Sequence, residues 1–160
     1  MHLPPTPPAS SISEHFLADH RRLDALMDQV LEAFADNDRE LVAKLWSAFD
    51  AGLLAHLDAE EKYMIPVILR ASERDARILI QEHKHIRTQL AELGIGIDLH
   101  VVRLEVVRTF IDELHAHATH EDALLYQRAD AALDETERQS LFAGLADNVR
   151  VRLARKKTVV

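Results

Sequence analysis

The stretch HLDAEEKYMIP, residues 56–66, places a histidine and a glutamate four residues apart and then a proline. On an α-helix, residues i and i+4 share a face, so His56 and Glu60 point the same way. A helix presents two metal ligands in this manner, and it presents an ordinary surface pair in the same manner. For a lone pair the second case is the commoner. What decides between them is the face the pair occupies and what else stands on it. Val42, Leu45, Phe49, Gly52, His56, Glu60 and Tyr63 recur at spacings of three and four, the rhythm of a helix that packs in a bundle. The pair therefore lies on the packed seam, and Pro66 is expected to kink this helix or begin its end.

The same rhythm extends outward in both directions. After a capping pattern at Ser11-x-x-Glu14, residues Phe16, His20, Leu23, Met27, Val30 and Phe34 define a first helix over about 12–36, closed by Asp36-Asn37-Asp38. A second capping pattern, Ser72-x-x-Asp75, opens a third helix with the seam Ala76, Leu79, His83, Ile86, Leu90 and Leu93, expected to stop at LGIG, residues 93–96. A fourth is expected from about Asp98, facing inward with Val106 or Val107, Phe110, Leu114, His117, Glu121 and Leu124. A shorter fifth helix after Asp134 carries Leu141, Leu145, Val149 and Leu153. The predicted fold is all-α: an up-down-up-down four-helix bundle with a short C-terminal fifth helix. It is expected to occupy 12–155, between a disordered proline-rich lead (1–11) and a basic tail (156–160).

Composition sets the outer bounds. With 160 residues, 48% of them hydrophobic, the chain suffices for one core and one domain. The absence of cysteine removes disulfides, zinc-thiolate sites and iron-sulfur ligation, leaving His and carboxylate as metal chemistry. A formal charge of −8 argues against general nucleic-acid binding. The local basic run RVRLARKK, 150–157, is expected to complement the negative end of the last helix. The opening MHLPPTPPASS lacks the basic start and apolar run of a signal peptide, and no stretch is long and apolar enough to span a membrane. A cytoplasmic protein is expected.

Four of the ten histidines, His20, His56, His83 and His117, fall on the seams, one per long helix, and Glu60 and Glu121 share them. With antiparallel neighbours all six groups reach one level of the bundle. Buried imidazoles and carboxylates are costly unless paired or metal-bound. The pattern also occurs twice: Asp19-His20-Arg21-Arg22-Leu23 matches Glu82-His83-Lys84-His85-Ile86, and HLDAEE (56–61) matches HATHED (117–122), at similar intervals. Each half contributes one His and then a His-x-x-x-Glu. Such a pseudo-twofold set suits two metal ions that share both carboxylates.

The arrangement Asp19-His20, His56 to Glu60, Glu82-His83 and His117 to Glu121 resembles the hemerythrin-like (HHE) cation-binding domain, over about residues 12–130. The resemblance implies a non-heme di-iron centre in a four-helix bundle that meets O2 and, in some members, peroxide or nitric oxide. It further implies His20 and His56 on one iron, His83 and His117 on the other, and Glu60 and Glu121 as bridges. One departure stands out: oxygen-carrying members have a further histidine four residues after the first on the third helix, and here that place is Arg87, which cannot ligate. The pattern is nearer that of bacterial di-iron relatives linked to nitrosative stress and iron-sulfur cluster repair, whose additional cysteine-containing segment has no counterpart here.

Four imidazoles and two carboxylates suit Fe, Mn or Zn, and too few donors remain to fill two octahedra, so positions stay open for a small diatomic ligand or peroxide. Three functions fit: reversible binding or sensing of O2, NO or a related ligand; a peroxidase- or oxidase-type enzyme; and iron handling. Among other residues, Glu82-x-x-His85 with Asp112-x-x-His115 forms a ferritin-like alternative off the seams. Asp24 and Glu113 could orient ligand imidazoles, and Tyr63 could bond Glu60. His15, His115 and His120, with Glu61 and Asp122, read as solvated.

Overall fold

Local chemistry starts the first helix where the spacing predicts. Ser11 Oγ accepts the Glu14 N–H at 3.0 Å while the Glu14 carboxylate accepts the Ser11 N–H at 3.4 Å, the reciprocal arrangement that satisfies two otherwise orphaned donors. The Ile12 and Ser13 N–H groups also donate to Asp130, at 2.6 and 3.1 Å. The computed structural model describes residues 11–157. Among them the chain is helical with no strand: α1 (Ile12–Ala35), α2 (Arg39–Ala59), a π-helical turn (Glu60–Met64), α3 (Ile65–Ala71), α4 (Glu73–Asp98), α5 (Leu104–Leu124), α6 (Tyr126–Ala132) and α7 (Glu135–Lys157). The expected disordered lead, apart from Ser11, and the end of the basic tail, 158–160, lie outside the described residues.

The helices α1, α2, α4 and α5 close a ring, α1 packing on α2 and α5, and α4 on α2 and α5. The short helices α3 and α6 prolong α2 and α5, and α7 lies along α2. Two apolar clusters fill the interior. One gathers Phe16, Met64, Ile68, Leu79, Leu125 and Leu141 at one end; the other gathers Leu23, Met27, Trp46, Phe49, Ile86, Leu90 and Phe110 at the other. The seam of α4 is buried at all six expected positions.

The structure refines one expectation and corrects several others. At Pro66, expected to kink the second helix or begin its end, the outcome is a distortion: the α-helical hydrogen bonding gives way to the π turn just before it. The Ile65 N–H reaches Glu60 O, five residues back, which leaves the proline in the first turn of α3, where its missing N–H costs nothing. The third helix runs through LGIG to Asp98. The glycines serve packing there: a Cβ on Gly96 would lie 2.5 Å from Val102 Cγ2. The turn falls instead at His100, whose φ is 57°, and the fourth helix starts at Leu104 rather than near Asp98. On α2, Trp46 is buried where Leu45 was expected; on the α5 to α6 segment, Leu125 and Tyr126 are buried and Leu124 only partly. The fifth helix is not short: α7 has 23 residues and includes Lys156 and Lys157. Its basic residues also do more than face its own end, since Arg152 and Lys156 pair with Asp58 and Asp50 of α2.

Candidate metal centre

Between the two apolar clusters lies a polar layer in which His56, His83, His117, Glu60 and Glu121 are buried and His20 is partly exposed. The structure brings all six sequence candidates together. Ligand-type atoms of His20, His56, Glu60 and Glu121 form one group, and those of Glu60, His83, His117 and Glu121 a second, with the atoms of each group within 4.8 Å of one another. Both carboxylates belong to both groups. Glu60 turns Oε1 to His56 Nε2 at 3.1 Å and Oε2 to His83 Nε2 at 3.3 Å. Glu121 turns Oε2 to His20 Nε2 at 3.2 Å and Oε1 to His117 Nε2 and His83 Nε2, at 2.5 and 3.5 Å. The π turn begins at Glu60, a placement common where a helix must aim a functional side chain.

The outer nitrogens fix which ring edge faces inward. His56 Nδ1 donates to Asp19 Oδ2 at 2.8 Å, His83 Nδ1 to Glu61 Oε1 at 3.0 Å, and His117 Nδ1 to Glu82 Oε2 at 2.6 Å. With the Nδ1 protons held by carboxylates, the Nε2 atoms converge on the layer's centre, the standard support for a metal-binding imidazole. Asp19 and Glu82 are the residues just before His20 and His83 in the internal repeat. Their matched positions were the available signal, and the orienting role expected of Asp24 and Glu113 is a correction. Those two bond His115 and His85 at the surface, at 3.0 and 3.2 Å. Glu61 is likewise not simply solvated, and Arg87 holds it: Arg87 Nη2 donates to Glu61 Oε1 at 3.2 Å and to Asp58 Oδ1 at 2.8 Å. His120 donates to Glu82 and His15 packs on Phe142. Tyr63 lies away from the cluster, its hydroxyl 3.2 Å from where a Cβ of Gly144 would stand. The ferritin-like alternative does not assemble, since His85 points to Glu113 while Glu82 serves His117 and His120.

Sequence reasoning missed Tyr126. It is 1% exposed, and its hydroxyl oxygen lies 2.7 Å from Glu60 Oε1, 2.9 Å from Glu121 Oε2, 3.0 Å from His20 Nε2 and 3.4 Å from His56 Nε2. The helix breaks at Leu125 (φ −112°, ψ −60°), which turns the phenol, five residues after Glu121, back over that carboxylate. The break carries no sequence signature beyond the pair of apolar residues Leu124 and Leu125.

Electrostatics follow from these contacts. Burial disfavours the charged imidazoles, yet the facing carboxylates outweigh it and push His56 up to about 10 and His83 up to about 11, and raise His117. Burial likewise opposes ionised Glu121, but the close imidazoles of His117, His20 and His83 hold its carboxyl well below the usual value. Asp19 falls to about 2 because the bond to His56 prevails over burial. The sign of the pH dependence is then fixed for metal-free protein. The raised imidazoles contribute stability that is complete below their ordinary 6.5 and lost as pH climbs through about 10 to 11. Asp19 contributes above 3.8 and loses its share as pH falls toward about 2. Denaturant midpoints of the metal-free protein are expected to be highest between about pH 4 and 6.5, to fall progressively from about 6.5 to 10–11, and to fall again below about pH 4. A cation must displace the imidazole protons, so its affinity rises about tenfold per pH unit for each proton released, a slope that metal titrations at several pH values measure.

Four buried atoms of this layer, Glu60 Oε2, His83 Nε2, His117 Nε2 and Glu121 Oε1, meet one another as ion-pair contacts but without hydrogen-bond geometry. Leaving such groups unsatisfied costs about 1–3 kcal/mol each. Together they are the whole inward donor set of the second group, and imidazole nitrogen with carboxylate oxygen is the donor chemistry of a divalent transition metal. The residues fit a cation. Losing one outer carboxylate by Asp19→Ala is expected to weaken cation binding about 10–100-fold while leaving the helix content intact, as chelator competition and circular dichroism would report.

A ring of helices around a buried, carboxylate-bridged imidazole cluster defines a helical cation-binding protein. The chain matches the family model of the Hemerythrin HHE cation binding domain over residues 11–129, and it belongs to that family. No curated protein and no solved structure matches it.

Proposed function

We propose that this chain is a non-heme di-iron protein that binds or senses O2, NO or a related small ligand in the cytoplasm, its four principal helices alternating up and down around the metal pair. The observation that carries this reading is that Glu60 and Glu121 each aim one oxygen at each of two imidazole pairs. In this reading His20 and His56 hold one iron, His83 and His117 the other, and the carboxylates bridge them. Iron, when bound, supplies reversible binding of small electron-accepting ligands. The protein supplies the rest.

A cavity of about 60 Å³ adjoins His20, His56, His117 and Glu121 and is walled by Leu23, Met27, Phe49, Leu53, Leu57, Ile111 and Leu114. It reaches the surface residues Asp24 and His115, which pair at 3.0 Å. That volume holds a few water-sized molecules and no large substrate. The apolar wall keeps bulk water from the imidazoles and favours small uncharged ligands. Asp19, Glu61 and Glu82 hold the Nδ1 protons, so the rings stay oriented whether or not a ligand is present.

The test is elemental analysis of protein purified anaerobically with iron supplied, then optical spectra before and after O2 or NO. About two irons per chain and a stoichiometric, reversible spectral change support the reading. Sustained turnover of peroxide with a reductant points to an enzyme, and immediate loss of iron to a weak chelator points to iron handling. Absence of bound metal overturns it.

A further inference from the structure

The two ligand groups differ in one respect. In the His83/His117 group the inward atoms are orphaned, whereas those of the His20/His56 group surround the hydroxyl oxygen of Tyr126. The spacing is informative. In a six-coordinate site with bonds of about 2.1 Å, neighbouring donors stand √2 times that distance apart, about 3.0 Å, and every vertex has four such neighbours. Around this group His20 Nε2 and His56 Nε2 are 3.0 Å apart, His56 Nε2 and Glu60 Oε1 3.1 Å, and His20 Nε2 and Glu121 Oε2 3.2 Å. The Tyr126 oxygen caps all four atoms at 2.7–3.4 Å. That is the place of a vertex.

Resting on the metal-pair reading above, we infer that Tyr126 is a fifth protein donor to the cation held by His20, His56, Glu60 and Glu121, bound through its phenolate oxygen. Binding exchanges a proton for the cation: the phenol O–H bond breaks, an oxygen–metal bond forms, the proton leaves to solvent, and no electron is transferred. The internal repeat sets the other half apart, because the residue five beyond Glu60 is Ile65, which offers no donor. The two cations are thus inequivalent, with five protein side chains on one and four on the other. The cation held by His83 and His117 has one protein donor fewer.

Full-length protein loaded with iron(II) anaerobically and oxidised with ferricyanide provides the test, with iron content measured on the same sample. The expected result is two irons with a visible phenolate-to-iron(III) charge-transfer band, and resonance-enhanced tyrosine ring modes on exciting that band. In Tyr126→Phe the band disappears and one iron leaves to a chelator about tenfold faster or more, while Tyr63→Phe retains both band and rate. Two irons with no such band in the unaltered protein, or a band that survives Tyr126→Phe, overturns the ligand assignment and leaves the metal pair standing. In that case the hydroxyl only hydrogen-bonds the bridging carboxylates. Absence of iron from the unaltered protein overturns both. Because the unaltered protein's own spectrum decides the main point, poor folding of the phenylalanine variant does not remove the test.

Discussion

Stripping the bound cations is expected to lower the midpoint of thermal unfolding by about 10 °C. A ligand present at about a thousand times its dissociation constant stabilises the folded state by about 4 kcal/mol. In a chain of this size each kcal/mol corresponds to about 2–4 °C. The sign comes from the polar layer. Without a cation, Glu60 Oε2, His83 Nε2, His117 Nε2 and Glu121 Oε1 remain buried without hydrogen bonds, and His83 and His117 rings stand 4.9 Å apart between centroids. Protons on the imidazoles offset part of the negative charge but do not give these atoms good hydrogen-bond geometry. Calorimetry of loaded and chelated samples checks this. An unchanged midpoint would mean that protonation alone satisfies the layer.

The second large effect is expected from Glu121→Leu. Glu121 contributes one oxygen to each ligand group, so on the proposed metal-pair reading a single substitution removes a donor from both cations, whereas His20→Leu removes a donor from one. Metal content is expected to fall from about two per chain to near zero for Glu121→Leu, and to about one for His20→Leu. The variant should also be less stable than the metal-free parent by about 3 kcal/mol, because His83 and His117 lose a carboxylate that pairs with their buried charge. Elemental analysis and chemical denaturation separate the two contributions. Retention of two cations in Glu121→Leu would remove the bridging role.

The helices and the six-residue layer were legible because periodicity and repetition record burial directly. An imidazole on an apolar seam is costly on its own, so four of them at matched height on four helices imply a shared partner in the core. The boundaries were less legible for a common reason: the same residue type serves two purposes. Gly94 and Gly96 look like a stop and act as room for Trp46 and Val102; Pro66 looks like a break and is accommodated by a π turn. Tyr126 was hidden by a conformational break at Leu125 that shifts the facing residue by one position, which periodicity cannot register. Asp19, Glu61 and Glu82 stood in plain view in the repeat, yet an acidic neighbour is uninformative until the fold shows which ring it meets.

The attachment of α7 bears on how the molecule opens. Along its 23 residues only Leu141 and Leu145 are fully buried, and among its ties to α2 are the pairs from Arg152 to Asp58 and from Lys156 to Asp50. Elements of this kind detach at a smaller free-energy cost than the core around them. Amide hydrogens of α7 should therefore exchange with solvent well before those of α4, whose seam is buried along its length, and added salt should widen the difference. Asp58 also holds Arg87, which holds Glu61 against His83. Release of α7 would thus free one end of a chain of charges that reaches a ligand-type imidazole, and would loosen the bracing of that ring.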